Sequence, residues 1–146
     1  MAGVSITKIM STNVVSVSLD DKLETVKEIF DNLKFHHLLV VEERKLLGVV
    51  SDRDLLKALS PNIGSARESF QDLASLNKRV HQIMTRRPVV LQESATVDDA
   101  IHAFNTHSIS CLPVVDLHLK PVGIVSWRDI LKNLRIHPTG SERSPG

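Results

Sequence analysis

Residues 46–59 read LLGVVSDRDLLKAL, and residues 121–134 read PVGIVSWRDILKNL. Eight of the fourteen positions are identical: Gly, Val, Ser, Arg, Asp, Leu, Lys and Leu. Working outward, the likeness continues upstream at an offset of 74 residues. Leu38 meets Leu112, Val40-Val41 meets Val114-Val115, Phe30 meets Phe104, Val15 meets Val89, and Ile9-Met10 meets Ile83-Met84. One residue gained around Leu119-Lys120 raises the offset to 75 for the best-matched stretch. The chain is therefore two copies of one unit, and each copy must share one secondary-structure pattern.

In the first copy, the valine-rich run Val14 to Val17 predicts a strand. Asp20 or Asp21 is placed to cap the helix that follows. Leu23, Val26, Phe30 and Leu33 fall at helical spacing and give it one apolar stripe. Leu38 to Val41 predicts a buried strand, Glu42 to Lys45 a solvated hairpin turn, and Leu46 to Val50 the partner strand. Ser51 then opens a helix through Leu59. In the second copy, Val89 to Leu91 is a strand and Ser94 caps a helix striped by Val97, Ala100, Ile101 and Phe104. Leu112 to Val115 and Val122 to Val125 are the paired strands, and Trp127 to Leu134 is the last helix. Each unit is β-α-β-β-α, a mixed α/β (α+β) arrangement with one bare sheet face. Two units cover that face by packing sheet to sheet with pseudo-twofold symmetry.

The expected organisation is repeat 1 over 1–62, a linker with a short helix over 63–80, repeat 2 over 81–136, and a disordered tail over 137–146. In the linker, Ser60-Pro61 stops the preceding helix. Ala66, Phe70, Leu73 and Ala74 suggest an amphipathic helix that packs on its own domain or makes a dimer contact.

Length and composition exclude several functions. A chain of 146 residues buries about 70% of its unfolded surface and needs neither metal nor disulfide to stand. The apolar fraction of 42% and charged fraction of 24% mark a folded chain. A net charge of +1 leaves no electrostatic footprint for duplex nucleic acid. Four Phe, one Trp and no Tyr are too few for platforms that stack single strands. No apolar run approaches the roughly 20 residues of a membrane span. MAGVSITKIM lacks the pattern of a signal peptide. The one cysteine, Cys111, forms no intramolecular disulfide, which fits a reducing, cytoplasmic setting.

The repeated Gly-h-h-Ser-x-Arg-Asp segment, with h aliphatic, spans Gly48 to Asp54 and Gly123 to Asp129. It runs a strand into a helix start, where unsatisfied backbone N–H groups favour anions. Ser51 and Ser126 sit at the caps, with Asp54 and Asp129 one turn on. Such a carboxylate can accept two charge-assisted hydrogen bonds from a vicinal diol such as that of a ribose. The serine, the helix N–H groups and Arg53 or Arg128 can hold a phosphate. A plainer reading is equally weighted. Ser-x-x-Asp is close to a capping box, whose side chains merely satisfy backbone donors. Against it, capping boxes prefer Glu or Gln at that position, and capping does not need the repeated arginine.

Both copies resemble the CBS motif, and the pair resembles a tandem CBS module, or Bateman module. The resemblance covers Ile6 to about Ile136. It rests on IMSTNVVSV with IMTRRPVVL, FHHLLVVEE with ISCLPVVDL, and the two Gly-h-h-Ser-x-Arg-Asp segments. The stretch FHHLLVV…LLGVVSDRDLLKALSP is similar to free-standing bacterial modules of the AcuB type, named for acetoin utilisation. The resemblance implies a cleft between the repeats with two pseudo-symmetric sites, usually for adenine nucleotides such as AMP, ADP or ATP, with Mg²⁺ an optional companion. Ser51 and Asp54 would serve one site, and Ser126 and Asp129 the other. The base would lie against Thr12 to Val15, or against Arg86 to Val89. His36-His37-Leu38 or Ser110-Cys111-Leu112 would close the pocket. The family often has proline in the first strand and before the paired valines. Repeat 2 keeps both, as Pro88 and Pro113, whereas repeat 1 has Val14 and Leu39. Trp127 replaces Asp52 beside the second serine, where it stacks on a ligand or blocks the site.

Other candidates are weaker. His36 and His37 are adjacent and would point to opposite faces, and His102 and His107 do not share a helical face. Cys111 reads as a small buried apolar residue. Arg86-Arg87 either assists with phosphates or forms an exposed turn. No Ser-His-Asp order, HExxH or GxGxxG is present. The sequence therefore points to a regulatory adenine-nucleotide sensor and not to an enzyme. It would signal through an unknown protein partner or its own homodimer, with no required cofactor. The alternative is a structural module whose sites stay empty.

Overall fold

The computed structural model describes residues 3–134. The expected tail at 137–146, and the last two residues assigned to repeat 2, lie outside the described residues. The first repeat holds β1 (Ser16–Val17), α1 (Leu23–Asn32), β2 (His37–Glu42), β3 (Lys45–Ser51) and α2 (Asp52–Ala58). The joint carries α3 (Phe70–Ala74), and the segment leading into the second repeat carries β4 (Thr85–Arg86). The second repeat holds β5 (Leu91–Gln92), α4 (Val97–Thr106), β6 (Cys111–Val115), β7 (Pro121–Ser126) and α5 (Trp127–Lys132). Two sheets result, one ordered β1-β2-β3-β4 and the other β5-β6-β7. In each, a short leading strand runs parallel to the first strand of an antiparallel hairpin.

The hairpins explain the one-residue gain. Glu43 and Arg44 both adopt positive φ, 49° and 68°, which is the two-residue turn whose twist suits a tight hairpin. In repeat 2 the turn is one residue longer, and Leu119 takes the left-handed conformation at φ 64°. The insertion therefore lies in the turn and leaves both strand pairs in register.

The hairpin strands are apolar on both faces because each face has a different partner. Leu38, Val40 and Val50 face their own helices in a core with Leu23, Val26 and Leu55. The alternate residues Leu39, Leu46 and Val49 meet Cys111 and Val115 of the other repeat. This third cluster is the sheet-to-sheet contact expected from the bare faces.

The leading segments cross between repeats. Ile6, although first in the chain, is fully buried in the core of repeat 2, with Val97, Phe104, Leu112 and Ile130. Val80, its counterpart, is fully buried in the core of repeat 1. Each crossing ends on the other repeat's hairpin: Thr85 and Arg86 pair with Val49 and Gly48, and Ser11 bridges Ile124. The glycine of the repeated segment is needed here. A methyl group on Gly48 would lie 2.7 Å from the Thr85 carbonyl oxygen, and one on Gly123 would lie 2.5 Å from the Met10 sulfur. Ile-Met-(Ser/Thr) and Gly-h-h-Ser are thus two halves of one contact.

Local expectations fail where this crossing intervenes. The strands expected at Val14 to Val17 and Val89 to Leu91 shrink to Ser16–Val17 and Leu91–Gln92, because the residues before them are spent passing between repeats. Neither Asp20 nor Asp21 caps α1. Asp21 Oδ2 accepts from the Ser18 amide at 2.7 Å instead. The N-cap is Lys22, without a side-chain bond, and the Leu23 amide donates to the Lys78 carbonyl arriving from the joint. Thr96, not Ser94, caps α4. The last helix ends at Lys132, short of Leu134. The linker stripe is not buried either. Phe70 is 92% exposed, and α3 is held by polar bonds, with Ser60 Oγ donating to Asp72 and the Ser60 amide to Ser75 Oγ.

Gly48→Ala should lower stability by about 2 kcal/mol, since a backbone carbonyl must move. Gly123→Ala should cost less, because the two nearest atoms belong to the flexible Met10 side chain and the Ser11 carbonyl oxygen is farther, at 3.0 Å. Urea denaturation of the two variants against the parent chain measures both.

Candidate functional site

Two clefts open along the junction of the repeats, of about 480 Å³ and 330 Å³. Each takes its parts from both copies. The larger joins Ser11 and Asn13 of the first leading segment to Ser126, Trp127, Arg128 and Asp129 at the start of α5. The loop Lys34 to His37 flanks it. The smaller joins Thr85, Arg87, Pro88 and Val89 of the second leading segment to Ser51, Arg53 and Asp54 at the start of α2. The loop Ser108 to Cys111 flanks that one. The crossing of the leading segments is what brings one repeat's first strand to the other repeat's helix.

Within each cleft the Ser-x-x-Asp pair forms a complete capping box. The Ser51 amide donates to Asp54 Oδ2 at 2.9 Å, and the Asp54 amide to Ser51 Oγ at 3.0 Å. The Ser126 amide donates to Asp129 Oδ2 at 2.8 Å, and the Asp129 amide to Ser126 Oγ at 3.4 Å. Aspartate at this position does not distinguish a ligand site from a cap, as the sequence argument supposed. Ser69 with Asp72 and Thr96 with Asp99 form the same box away from the clefts. The helix amides are also less available than expected. The Asp52 amide donates to the His36 carbonyl, and the third amide of α2 and of α5 goes to its serine. What remains is the second carboxylate oxygen of each aspartate, beside an arginine.

The other expected residues separate into wall and core. Arg53, Ser110, Cys111 and His37 line both clefts, Arg128 lines the larger, and Arg87, Pro88 and Val89 line the smaller. Leu38 and Leu112 are fully buried in the two helix-side cores and line neither cleft. Thr12, Val14 and Val15 do not line them either. Val14 packs in the cluster between the sheets and Val15 against the core of repeat 1. Strand alternation explains the leucines: each is one residue past the lining position and points the other way.

His36 and His37 meet different partners, and only His37 also reaches the smaller cleft. Both line the larger one, because His36 precedes β2 and escapes its alternation. Arg128 Nη1 donates to His36 Nε2 at 3.0 Å, and His36 Nδ1 lies 3.0 Å from Asp52 Oδ2. Arginine has no acceptor, so in this chain of bonds Nε2 of His36 accepts from Arg128 and Nδ1 faces the Asp52 carboxylate. His37 Nε2 lies 2.9 Å from Ser110 Oγ across the repeat junction. Trp127 stacks on Phe104, with ring centroids 4.9 Å apart. Cys111 is buried, and its thiol pKa is pushed up to about 12 by desolvation, so it supplies no thiolate near neutral pH. Among the described residues there is no group of three or more His, Cys, Asp or Glu able to hold a metal ion.

Asn13, within the expected Thr12 to Val15, does line the larger cleft, while Ser11, Lys34, Phe35, Thr85, Ser108 and Ile109 escaped the sequence argument. The repeat offset of 74 was the available signal, since it maps Ser11 to Thr85, Lys34 to Ser108 and Phe35 to Ile109.

The CBS domain family matches residues 6–61 and 80–136. The chain belongs to the CBS domain family, as a tandem pair. A CBS domain-containing protein of Dictyostelium discoideum is 28% identical over 130 residues, covering 88% of this chain and 89% of that protein. The chloroplastic CBS domain-containing protein CBSX2 of Arabidopsis thaliana is 31% identical over 135 residues, 80% of this chain and 55% of that one. The chain spans only 23% of an inosine-5'-monophosphate dehydrogenase of Aquifex aeolicus, to which it is 30% identical over 125 residues. A crystal structure of CBSX2 in complex with AMP has TM-score 0.73 and 27% identity, and covers 89% of this chain and 95% of that one. The CBS domain pair of protein MJ0100, in complex with 5'-methylthioadenosine and S-adenosyl-L-methionine, has TM-score 0.71 and 27% identity, over 88% and 93% of the two chains. AcuB of Vibrio cholerae, described there as a putative acetoin utilization protein, shares the fold at TM-score 0.70 and 24% identity, over 88% of each chain.

Burial lowers the His37 pKa below its ordinary 6.5, partly opposed by the Asp52 and Asp54 carboxylates and reinforced by His36. The unfolded chain therefore takes up this proton first as pH falls. The CBS pair should lose stability from about pH 6.5 downward until the folded state also protonates His37. Comparing urea midpoints at pH 7.5 and 5 for the parent and for His37→Gln should show a smaller drop in the variant.

Proposed function

We propose that this CBS pair is a regulatory sensor that binds an adenine nucleotide or related adenosyl ligand in the clefts between its repeats. The observation that carries the reading is the paired geometry. Each cleft sets an aspartate with one uncommitted carboxylate oxygen beside an arginine, opposite a wall from the other repeat. The AMP complex of CBSX2 and the methylthioadenosine and S-adenosylmethionine complex of MJ0100 support it as relatives of the same fold.

In this reading Asp54 and Asp129 take the ribose hydroxyls, assisted by Ser51 and Ser126. Arg53 and Arg128 take phosphate, with Arg87 near the smaller cleft. The base of the smaller-cleft ligand lies against Pro88 and Val89, between the flanking residues Ile109 and Cys111. In the larger cleft, Asn13 and Phe35 take those places. Mg²⁺ enters only as the companion of a polyphosphate. A ligand touching both repeats signals by favouring one of their relative arrangements over another. Output then passes to a protein partner or through a second copy. Leu56 and Leu131, at equivalent positions on α2 and α5 and 73% and 59% exposed, would meet that copy. The work is regulatory and not catalytic: the thiol in the wall is not ionised, and the reduced cysteine suits a cytoplasmic setting. A second reading, an unoccupied scaffold, is favoured by the complete capping boxes, which need no ligand.

Thermal melts with AMP, ADP, ATP, NADH and S-adenosylmethionine separate the two readings. A ligand at a hundred times its Kd adds about 2.7 kcal/mol and raises Tm by roughly 5 to 10 °C. The sensor reading expects such a shift with at least one compound. Asp54→Asn with Asp129→Asn should abolish it, because Asn keeps a capping acceptor while losing the charge. No shift with any compound leaves the scaffold.

A further inference from the structure

We infer that Arg53 is a cation shared between the two clefts, so that two phosphate-bearing ligands bind with unequal affinity. The inference rests on the adenine-ligand reading and deepens it.

Arg53 lines both clefts, whereas its counterpart Arg128 lines only the larger. The difference has a visible cause. Arg128 is held by His36 at 3.0 Å, over the larger cleft. The guanidinium of Arg53 is exposed and, among the described residues, not ion-paired. It is therefore able to turn to either side of the wall that the His37–Ser110 bond makes across the junction.

Charge makes this consequential. The larger cleft carries Lys34 and Arg128 against Asp52 and Asp129, and the smaller carries Arg87 against Asp54. Without Arg53 each is balanced. Arg53 gives either one its single excess positive charge. Its rigid fork grips one phosphate at a time, and a charged hydrogen bond of that kind is worth about 1.5–3 kcal/mol. The first ligand claims Arg53, and the second meets a cleft with no net positive charge. An uncharged nucleoside has no such competition.

Isothermal titration of the 146-residue chain with AMP and with adenosine tests this. AMP should bind in two steps, the second weaker by roughly tenfold or more, or only once at saturation. Adenosine should bind twice with closely similar affinities. In Arg53→Gln the first AMP step should weaken to match the second, while Arg53→Lys, which keeps the charge, should retain the inequality. Equal AMP steps in the parent, an inequality that persists in Arg53→Gln, or one site for both ligands would overturn the inference and leave the sensor reading standing. No binding of either ligand would overturn both.

Discussion

The structure depends on one close backbone crossing, made twice. The segment leading into each repeat passes over the hairpin of the other and lies against a residue that must be glycine. Gly48 admits Met84 and Thr85, and Gly123 admits Met10 and Ser11. The crossing places Ile6 and Val80 in the cores of the opposite repeats. Neither repeat has a complete core alone, so the pair folds as a mutual insertion and not as two beads on a string.

The clefts follow from the same constraint. If each leading segment stayed with its own repeat, its residues would not face the other repeat's Ser-x-Arg-Asp. Because it crosses, Thr85 and Arg87 to Val89 face Ser51, Arg53 and Asp54, and Ser11 and Asn13 face Ser126 to Asp129. Any change in the angle between repeats changes both clefts. The two are not equal copies. His36 restrains Arg128, Trp127 is stacked on Phe104, and Arg53 lines both clefts.

The capping boxes show how far one motif reaches. Ser51 with Asp54 suggested a ligand pair partly because aspartate seemed unusual for a cap. Four boxes with aspartate show that this chain caps helices that way as a habit. The repeated arginine takes no part in either box. The motif supplies a helix start satisfied from within and leaves one carboxylate oxygen over, beside an arginine that His36 holds in the second copy.

Much of the fold was legible in the sequence because it is local and doubled. The buried strand at Leu38 to Val41, the helix stripe of Leu23 and Val26, and a turn within Glu42 to Lys45 are set by neighbours in the chain, and the second copy checks each reading; the structure narrows the turn to Glu43-Arg44. Two faces of burial for the hairpin strands also followed from their unbroken apolar runs. The crossing was not legible, because nothing in Ile6 or Val80 says which core receives it. For the same reason the capping of α1 by the Lys78 carbonyl could not be read from Asp20 or Asp21. The wall residues Lys34, Phe35 and Ser108 face the clefts only through that long-range exchange. The sequence alone determined the repeated unit, its elements and the chemistry at each helix start, since those are matters of spacing within about one turn or one strand. Only the tertiary structure decided which repeat completes which core and which cleft, since that depends on backbone meeting backbone between residues far apart in the chain, Thr85 with Val49 and Ser11 with Ile124.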